Sequence, residues 1–232
     1  MVKELFESIG AEFVSEPDAI SNQLKGIKAF LFDWDGVFND ASKDENMSSN
    51  FNEVDSMGTN LLRFSYYLSN NVLPSVGIIS GERNSMSFKF SDREHFHSCY
   101  FKISNKVDAL NHFCSHHGLQ YTEIAYFFDD VLDLSIAQLA GLRILIGRKS
   151  NPLFNLYLKN NKLVDYISAN PGGQNGLRES CEMLMGIRGN FDQVLEHRTA
   201  FSETYSNYIS LRNKVETFYY TKEGKDIKII EL

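Results

Sequence analysis

The sequence has little cysteine, no long apolar run and no excess of positive charge, and each shortage excludes a class of protein. The three cysteines, Cys99, Cys114 and Cys181, are odd in number and far apart, so their spacing forms no disulfide framework and no metal or redox pair. We therefore expect reduced thiols and a cytoplasmic protein. No apolar run reaches the roughly 18 residues of a membrane span, and the N-terminus, MVKELFESIG, lacks the pattern of a signal peptide.

The charge balance restricts the expected partners. A net charge of −7 over 232 residues argues against a general nucleic-acid-binding protein, which would carry a basic face. An acidic protein that binds a phosphorylated ligand must concentrate positive charge locally. A metal ion, a few lysine or arginine side chains, or helix N-termini can supply that charge.

Apolar runs of strand length alternate with helical patterns along most of the chain. The clearest strands are IKAFLFD, VLPSVGIIS, EIAYFFDD and RILIG. One helix is predicted from about residue 56 to residue 70, capped by Asp55 or Ser56, and another begins at Lys106. This alternation predicts an α/β fold, a Rossmann-like parallel sheet with helices on both faces.

The same pattern predicts the organisation of the chain, with no internal repeat and no low-complexity linker. We expect a lead-in at 1–26, a core at 27–189 with a small β-hairpin flap or loop at about 36–54, and a C-terminal extension at 190–232. The extension is predicted to hold a helix to about residue 214 and a hairpin that turns at Glu223-Gly224. No stretch is long enough for a large cap domain.

Polar residues stand at the ends of the predicted strands, where ligands bind in folds of this class. They are Asp33, Asp35, Ser80, Asp129, Asp130 and Asp133, with Lys106 at a helix start. Asp33 and Asp35 can divide the work of phosphate chemistry, one as the nucleophile and the other as general acid and base. Such close acids need a cation between them, and an oxygen-only cluster favours Mg²⁺.

Each of these signals also has a structural interpretation. Asp33 and Asp35 can belong to an acidic turn, Ser80 can be a helix N-cap, and Lys106 can be a solvated surface lysine. The acids from Asp129 to Asp133 can cap a helix. The set is more specific than its members, because all four signals occur in order at strand ends or helix starts.

The set resembles the four motifs of the haloacid-dehalogenase (HAD) superfamily. The matching residues are Asp33-Trp-Asp35-Gly36, Ser80, Lys106 and Asp129-Asp130-x-x-Asp133. By that resemblance Asp33 attacks phosphorus, Asp35 is the general acid and base, and Ser80 and Lys106 hold the phosphoryl group. The resemblance also implies that Asp33, the Asp35 backbone carbonyl and Asp129 bind Mg²⁺, with Asp130 and Asp133 in the surrounding shell.

A closer resemblance is to the capless 3-deoxy-D-manno-octulosonate-8-phosphate phosphatases and their sialic-acid-like relatives. It runs over about residues 27–186 and is carried by FDWDGVFND, FNEVDSMGTNLL, GIISGER, ISNKVDAL, YFFDDVLDL and NPGGQNGLRES. It implies a homotetramer, with Asp55, Gly81, Arg83 and Arg178 near the substrate. The chain departs from the family pattern at Val54, at the displaced Arg83 and at Phe128, which stands where a glycine is usual.

These features predict a magnesium-dependent phosphomonoesterase that acts on a small phosphorylated acidic sugar through an aspartyl-phosphate intermediate. A phosphatase of another small phosphate, or a phosphomutase, is a second enzymatic reading. A catalytically weak binding or regulatory protein that keeps the fold is the alternative from a different class, and Phe128 and the altered arginines favour it. No nucleic acid and no membrane is expected among the partners.

Overall fold

The computed structural model describes residues 1–224 and 226–231. The strands are β1 Glu12–Phe13, β2 Ala29–Phe32, β3 Ser75–Ile79, β4 Ser98–Phe101, β5 Ile124–Phe128, β6 Leu142–Leu145, β7 Tyr166–Ile167, β8 Phe218–Glu223 and β9 Asp226–Ile230. The α-helices are α1 Val2–Ser8, α2 Pro17–Gly26, α3 Glu53–Asn70, α4 Ser85–Arg93, α5 Lys106–His117, α6 Leu134–Ala137, α7 Pro152–Asn160, α8 Gly176–Arg188, α9 Phe191–Thr199 and α10 Glu203–Arg212. Short 3₁₀ helices cover Tyr121–Glu123 and Val131–Asp133.

The strands of the described chain form one sheet in the order β1-β7-β6-β5-β2-β3-β4-β8-β9. Neighbouring strands from β7 to β8 in that order are parallel, and the two outermost strands, β1 and β9, are antiparallel to their neighbours. The predicted parallel sheet is confirmed. Because the connections between parallel strands are helical crossovers, the helices cover both faces.

Strand β2 shows how the core is divided between the two faces. All four of its residues are buried, and successive side chains point to opposite faces of the sheet. Phe30 and Phe32 pack with the helices α2, α3, α4 and α8. Ala29 and Leu31 pack with α5, α6 and α7 on the other face. A strand buried on both faces reads as a continuous apolar run, as the sequence does here.

Residues 36–52, here called the flap loop, contain no strand, so the predicted β-hairpin flap is a loop. Its polar side chains accept hydrogen bonds from nearby backbone amides, which competes with strand pairing. Asn39 Oδ1 accepts from the amides of Gly36 and Ala41 at 3.3 and 2.9 Å. Asp44 Oδ1 accepts from the amides of Asn46 and Ser48, both at 2.9 Å.

The two ends of the chain join the same sheet as its centre. The segment 1–26 forms α1, α2 and the edge strand β1, which pairs with β7. The segment from residue 190 contributes β8, which pairs with β4, and the hairpin to β9 that the sequence predicted. The predicted long helix over 190–214 is wrong, since Phe201 has a positive φ of 46° and Ser202 caps a new helix, α10.

The connections leave no space for a large cap domain, as predicted. Residues 36–79 hold the flap loop, α3 and β3, and residues 107–128 hold α5, a 3₁₀ turn and β5. Helix α3 begins earlier than predicted, because Asn52 is its N-cap and accepts the amide of Asp55 at 2.8 Å. Within residues 1–224 and 226–231, no helix is long and apolar enough to cross a membrane.

Candidate active site

The carboxyl ends of the central strands β2, β3 and β5 meet the first turn of α5 at one edge of the sheet. Asp33 follows β2, Ser80 follows β3, Asp129 follows β5, and Lys106 is the first residue of α5. All four side chains are buried. The parallel arrangement therefore brings together residues that are far apart in the sequence.

Lys106 connects two of the buried carboxylates. Its Nζ donates to Asp33 Oδ1 at 2.7 Å and to Asp133 Oδ1 at 2.6 Å. Tyr126, in β5, also donates its hydroxyl to Asp133 Oδ1. Asp133 therefore holds the ammonium group of Lys106 in place beside Asp33, and Tyr126 holds Asp133.

The site carries more negative than positive charge. Burial, followed by the negative charge of Asp133, raises the pKa of Asp33 to about 7, although Lys106 opposes this rise. Burial and then the charge of Asp33 raise the pKa of Asp129 to about 8. Burial alone would lower the pKa of Lys106, but the carboxylates of Asp33 and Asp133 raise it above its ordinary value.

This donor set fits a hard divalent cation. Carboxylate oxygens of Asp33, Asp129 and Asp133 all lie within 4.8 Å of one another. Oxygen ligands suit Mg²⁺, and a cation would offset both the burial and the mutual repulsion that raise the pKa values of Asp33 and Asp129. Asp35 does not belong to this group through its side chain, and its predicted role as a backbone ligand stays a prediction.

Asp129 is bound by an arginine that the sequence analysis did not select. Arg148 follows β6, and its Nη2 lies 2.5 Å from Asp129 Oδ2. Both groups press against the backbone of Gly36, where an added Cβ would lie 2.0 Å from Asp129 Oδ2 and 2.1 Å from Arg148 Nη2. The strand-end rule that selected Asp33 could have found Arg148, since only Ile146 and Gly147 separate it from β6.

Asp35 faces the flap loop. Its Oδ2 pairs with Lys43 Nζ at 2.6 Å, and its Oδ1 accepts the hydroxyl of Ser49. Asn84, the N-cap of α4, donates to Ser49 Oγ at 2.6 Å and accepts from Ser48 Oγ at 2.7 Å. The flap loop is thus tied both to Asp35 and to the start of α4. Nothing in the sequence pattern indicated Lys43, Ser49 or Asn84.

Ser80 lies between β3 and the turn that leads to α4. Its Oγ accepts the amide of Glu82 at 3.3 Å, and its own amide donates to the carbonyl of Tyr100 at 2.9 Å. An added Cβ on Gly81 would meet no atom within 4 Å, so the space next to this turn is open.

No family model matches the chain. Individual proteins are similar to it. The 3-deoxy-D-manno-octulosonate 8-phosphate phosphatase of Salmonella typhi is 23% identical over 180 residues, which cover 75% of this chain and 88% of the relative. The enzyme of that name from Moraxella catarrhalis, solved with magnesium, phosphate and the sugar, has a TM-score of 0.63 at 23% identity. The match covers 80% of this chain and 99% of the Moraxella chain.

A structure from Legionella pneumophila, described as a subfamily III A hydrolase of the HAD superfamily, has a TM-score of 0.65 at 22% identity. The match covers 79% of this chain and 95% of the Legionella chain. The chain has the HAD fold. The fold implied by the resemblance of the four motifs is therefore confirmed.

Three of the predicted substrate residues of this HAD fold have their contacts away from the acidic cluster. Asp55 is fully buried and accepts the backbone amide of Arg178 at 2.8 Å, so it joins α3 to α8. The side chain of Arg178 pairs with Glu182 at 2.6 Å. The guanidinium of Arg83 lies 5.7 Å from the ring centroid of Phe101.

Asp130 and Phe128, which flank Asp129 in the sequence, make structural contacts. Asp130 is exposed, and its Oδ1 accepts the amide of Val131 at 2.7 Å, so it caps the 3₁₀ helix at Val131–Asp133. Phe128 is fully buried at the end of β5, and its ring stacks with Tyr126 at 5.8 Å. Phe128 therefore packs in the core beneath the site and stabilises the tyrosine that binds Asp133.

Proposed function

We propose that this protein is a Mg²⁺-dependent phosphatase that hydrolyses the phosphomonoester of a small acidic sugar through an aspartyl-phosphate on Asp33. The observation that carries the proposal is the buried contact of Asp33 with Lys106, which lies within the cluster of three carboxylates. Phosphatase chemistry agrees with the names of the relatives. The more specific proposal is that the substrate is the phosphate of an acidic sugar.

The residues of the site suit a two-step reaction. Asp33 attacks phosphorus, and the bond to the leaving oxygen breaks as Asp35 donates a proton to it. Asp35, now ionised, takes a proton from water, whose oxygen attacks phosphorus and releases phosphate and the free Asp33 carboxylate. Lys106 and Ser80 orient the phosphoryl oxygens throughout. Asp33, Asp129 and the Asp35 carbonyl would hold Mg²⁺, whose charge would offset the negative charge of the phosphoryl oxygens.

Phosphate release tests the proposal. Turnover of para-nitrophenyl phosphate and of a panel of sugar-acid phosphates is measured with and without Mg²⁺. We expect turnover in the wild type that needs Mg²⁺, and a loss of at least about a thousandfold in Asp33→Asn, which lacks the nucleophile. Asp192→Asn, an exposed carboxylate of α9, is the matched control. Folded wild-type protein that releases no phosphate from any substrate contradicts the proposal.

A catalytically weak binding or regulatory protein is the second candidate. It is favoured by Arg148, which pairs with Asp129, and by Lys43 and Ser49, which bind both oxygens of Asp35. In this case Asp33→Asn would leave the biological role intact. Complementation of a strain that lacks the protein separates the two candidates, because an enzyme needs Asp33 and a binding protein does not.

We further propose a cytoplasmic homotetramer. Support comes from the resemblance to the capless phosphatases and from large apolar side chains exposed near the site. Val131, Leu132 and Leu153 are 56%, 68% and 80% exposed. The three buried cysteines are free, as expected for a reducing compartment. Light scattering of the purified protein tests the assembly, and a monomer would contradict it.

A further inference from the structure

Arg148 is the cation that pairs with Asp129 in the part of the chain that the structure describes. Asp33 and Asp133 share Lys106, whereas Asp129 Oδ2 lies 2.5 Å from Arg148 Nη2. The three carboxylates therefore have two cationic partners from the chain itself, and the second of them is an arginine.

The position of Arg148 conflicts with a metal ion bound to the same carboxylate. The oxygens of Asp33 and Asp129 belong to a cluster that lies within 4.8 Å, so a divalent cation bound by both would lie close to the guanidinium that pairs with Asp129. The contact between Asp129 and Arg148 lies against the backbone of Gly36, since an added Cβ there would lie only 2.0 Å from Asp129 Oδ2 and 2.1 Å from Arg148 Nη2. Like charges at this separation repel strongly in a buried site.

The guanidinium has space into which it can withdraw. Arg148 lines a cavity of about 460 Å³ together with Asp40, Lys149 and Gln174. Its side chain is 24% exposed, whereas that of Asp129 is 5% exposed, so the arginine is the partner that borders open space. Movement of Arg148 into the cavity leaves Asp129 in place at the end of β5.

Asp40 supplies an anion in the lining of that cavity. Hydrogen bonds from Ser42 lower the pKa of Asp40, and the positive charge of Arg148 lowers it further. Asp40 is exposed and belongs to the flap loop. Arg148 thus has two possible carboxylate partners, one inside the candidate active site and one on the flap loop.

We propose that Arg148 is an internal counter-cation that competes with the divalent metal ion for Asp129 and moves towards Asp40 when the metal binds. This inference rests on the proposed function for the identity of the metal. It makes Arg148 a positioning residue that weakens metal binding and couples the occupancy of the metal site to the flap loop.

Metal affinity without substrate tests the inference. Isothermal titration with Mg²⁺ alone is carried out on the wild type, on Arg148→Gln and on Lys149→Gln. Removal of the competing charge in Arg148→Gln should lower the dissociation constant by about tenfold. Lys149→Gln removes the same charge from the next residue, which lines the same cavity, and should change the constant by less than about twofold. An unchanged or weaker affinity in Arg148→Gln overturns the inference.

A second variant keeps the test decisive if Arg148→Gln does not fold. Asp40→Asn removes the alternative anion, so the freed guanidinium has no partner and Mg²⁺ should bind about threefold more weakly. Unchanged affinity in this exposed variant overturns the movement towards Asp40. Because both titrations omit substrate, they are independent of phosphate release. Turnover with unchanged Mg²⁺ affinity in Arg148→Gln would reject the inference and leave the proposed phosphatase standing.

Discussion

The turn after β2 shows how single residues shape the site. Asp33 and Asp35 point in different directions from this turn, one to Lys106 and the other to Lys43 of the flap loop. Gly36 lies within the turn, with a positive φ of 84°, and against Asp129. A residue without Cβ is required there for two independent reasons, backbone conformation and space.

Gly36→Ala is expected to destabilise the protein and to abolish turnover. The new methyl group would overlap Asp129 Oδ2 and Arg148 Nη2, and we expect a loss of about 2–4 kcal/mol in the free energy of unfolding. Gly189→Ala is the matched control, since Gly189 has a similar φ of 77° but no atom within 4 Å of the added Cβ. It should lose about 1 kcal/mol from backbone strain alone. Equal losses in urea unfolding would show that the overlap is unimportant.

Asp55 is expected to make stability depend on pH. Burial raises its pKa to about 6, above the ordinary value of 3.8, although hydrogen bonds from Arg178 and Asn52 oppose the rise. The folded state therefore binds the proton more tightly than the unfolded state. Relative to Asp55→Asn, the wild type should lose up to about 3 kcal/mol as the pH rises from about 4 to above 6.

Urea unfolding of both proteins across this pH range, with a chelator to exclude metal, measures the difference. A constant difference between the wild type and Asp55→Asn would mean that Asp55 titrates at the same pH in the folded and unfolded states. A difference that grows in favour of the wild type would mean that the Arg178 amide outweighs burial.

At the scale of elements, the C-terminal strands complete the sheet beside β4. Strand β8 pairs with β4 from Ser98 to Phe101, and Tyr220 stacks on Tyr100 with ring centroids 4.9 Å apart. Strand β9 then pairs with β8 as the outermost strand. Without β8, one edge of β4 would lose its backbone partners and the ring of Tyr100 would lose its stacking partner Tyr220.

Tyr220→Ala is expected to cost about 3–5 kcal/mol in the free energy of unfolding, because it removes a large ring from a closely packed site. Tyr220 is 5% exposed, whereas Ile229, its partner in β9, is 58% exposed. Ile229→Ala should therefore change stability by less than about 1 kcal/mol. Similar effects of the two substitutions in urea unfolding would contradict a structural role of β8 in the core.

At the scale of the whole molecule, the negative charge is unevenly distributed. The chain carries a net charge of −7, and three of its carboxylates are buried in one cluster at the strand ends. Burial of these carboxylates, and then the repulsion between them, raises the pKa values of Asp33 and Asp129 and opposes folding with the carboxylates ionised. A cation bound at this cluster would therefore stabilise the folded chain.

Mg²⁺ is expected to raise the stability of the folded protein. At a concentration of about 100 times its dissociation constant, the free energy of unfolding should rise by about 2.7 kcal/mol through binding linkage. Asp129→Asn should lose most of this gain, since it removes one carboxylate of the cluster. Thermal unfolding with Mg²⁺, and with Na⁺ at matched ionic strength, measures the effect. A wild type that responds equally to both ions would contradict a specific metal site.

The sequence by itself determined the parallel sheet with helices on both faces, the alternation of its central strands and helices, and the acidic residues and lysine at its strand ends. Apolar runs such as AFLF report burial on both faces, and the residues that end them lie at the same edge of a parallel sheet. Asp33, Lys106, Asp129 and Asp133 could therefore be selected before any coordinate was known. The C-terminal hairpin was also predicted, because its turn signal is local.

Only the tertiary structure decided which side chains complete that edge. Arg148 and Lys43 reach Asp129 and Asp35 from loops, whose paths depend on contacts distant in the sequence. Asp55 was predicted to lie near the substrate, but the packing of α3 on α8 directs its carboxylate to the Arg178 amide. Strand and helix patterns are local in the sequence. The partner of a loop side chain depends instead on how the whole sheet is arranged in space.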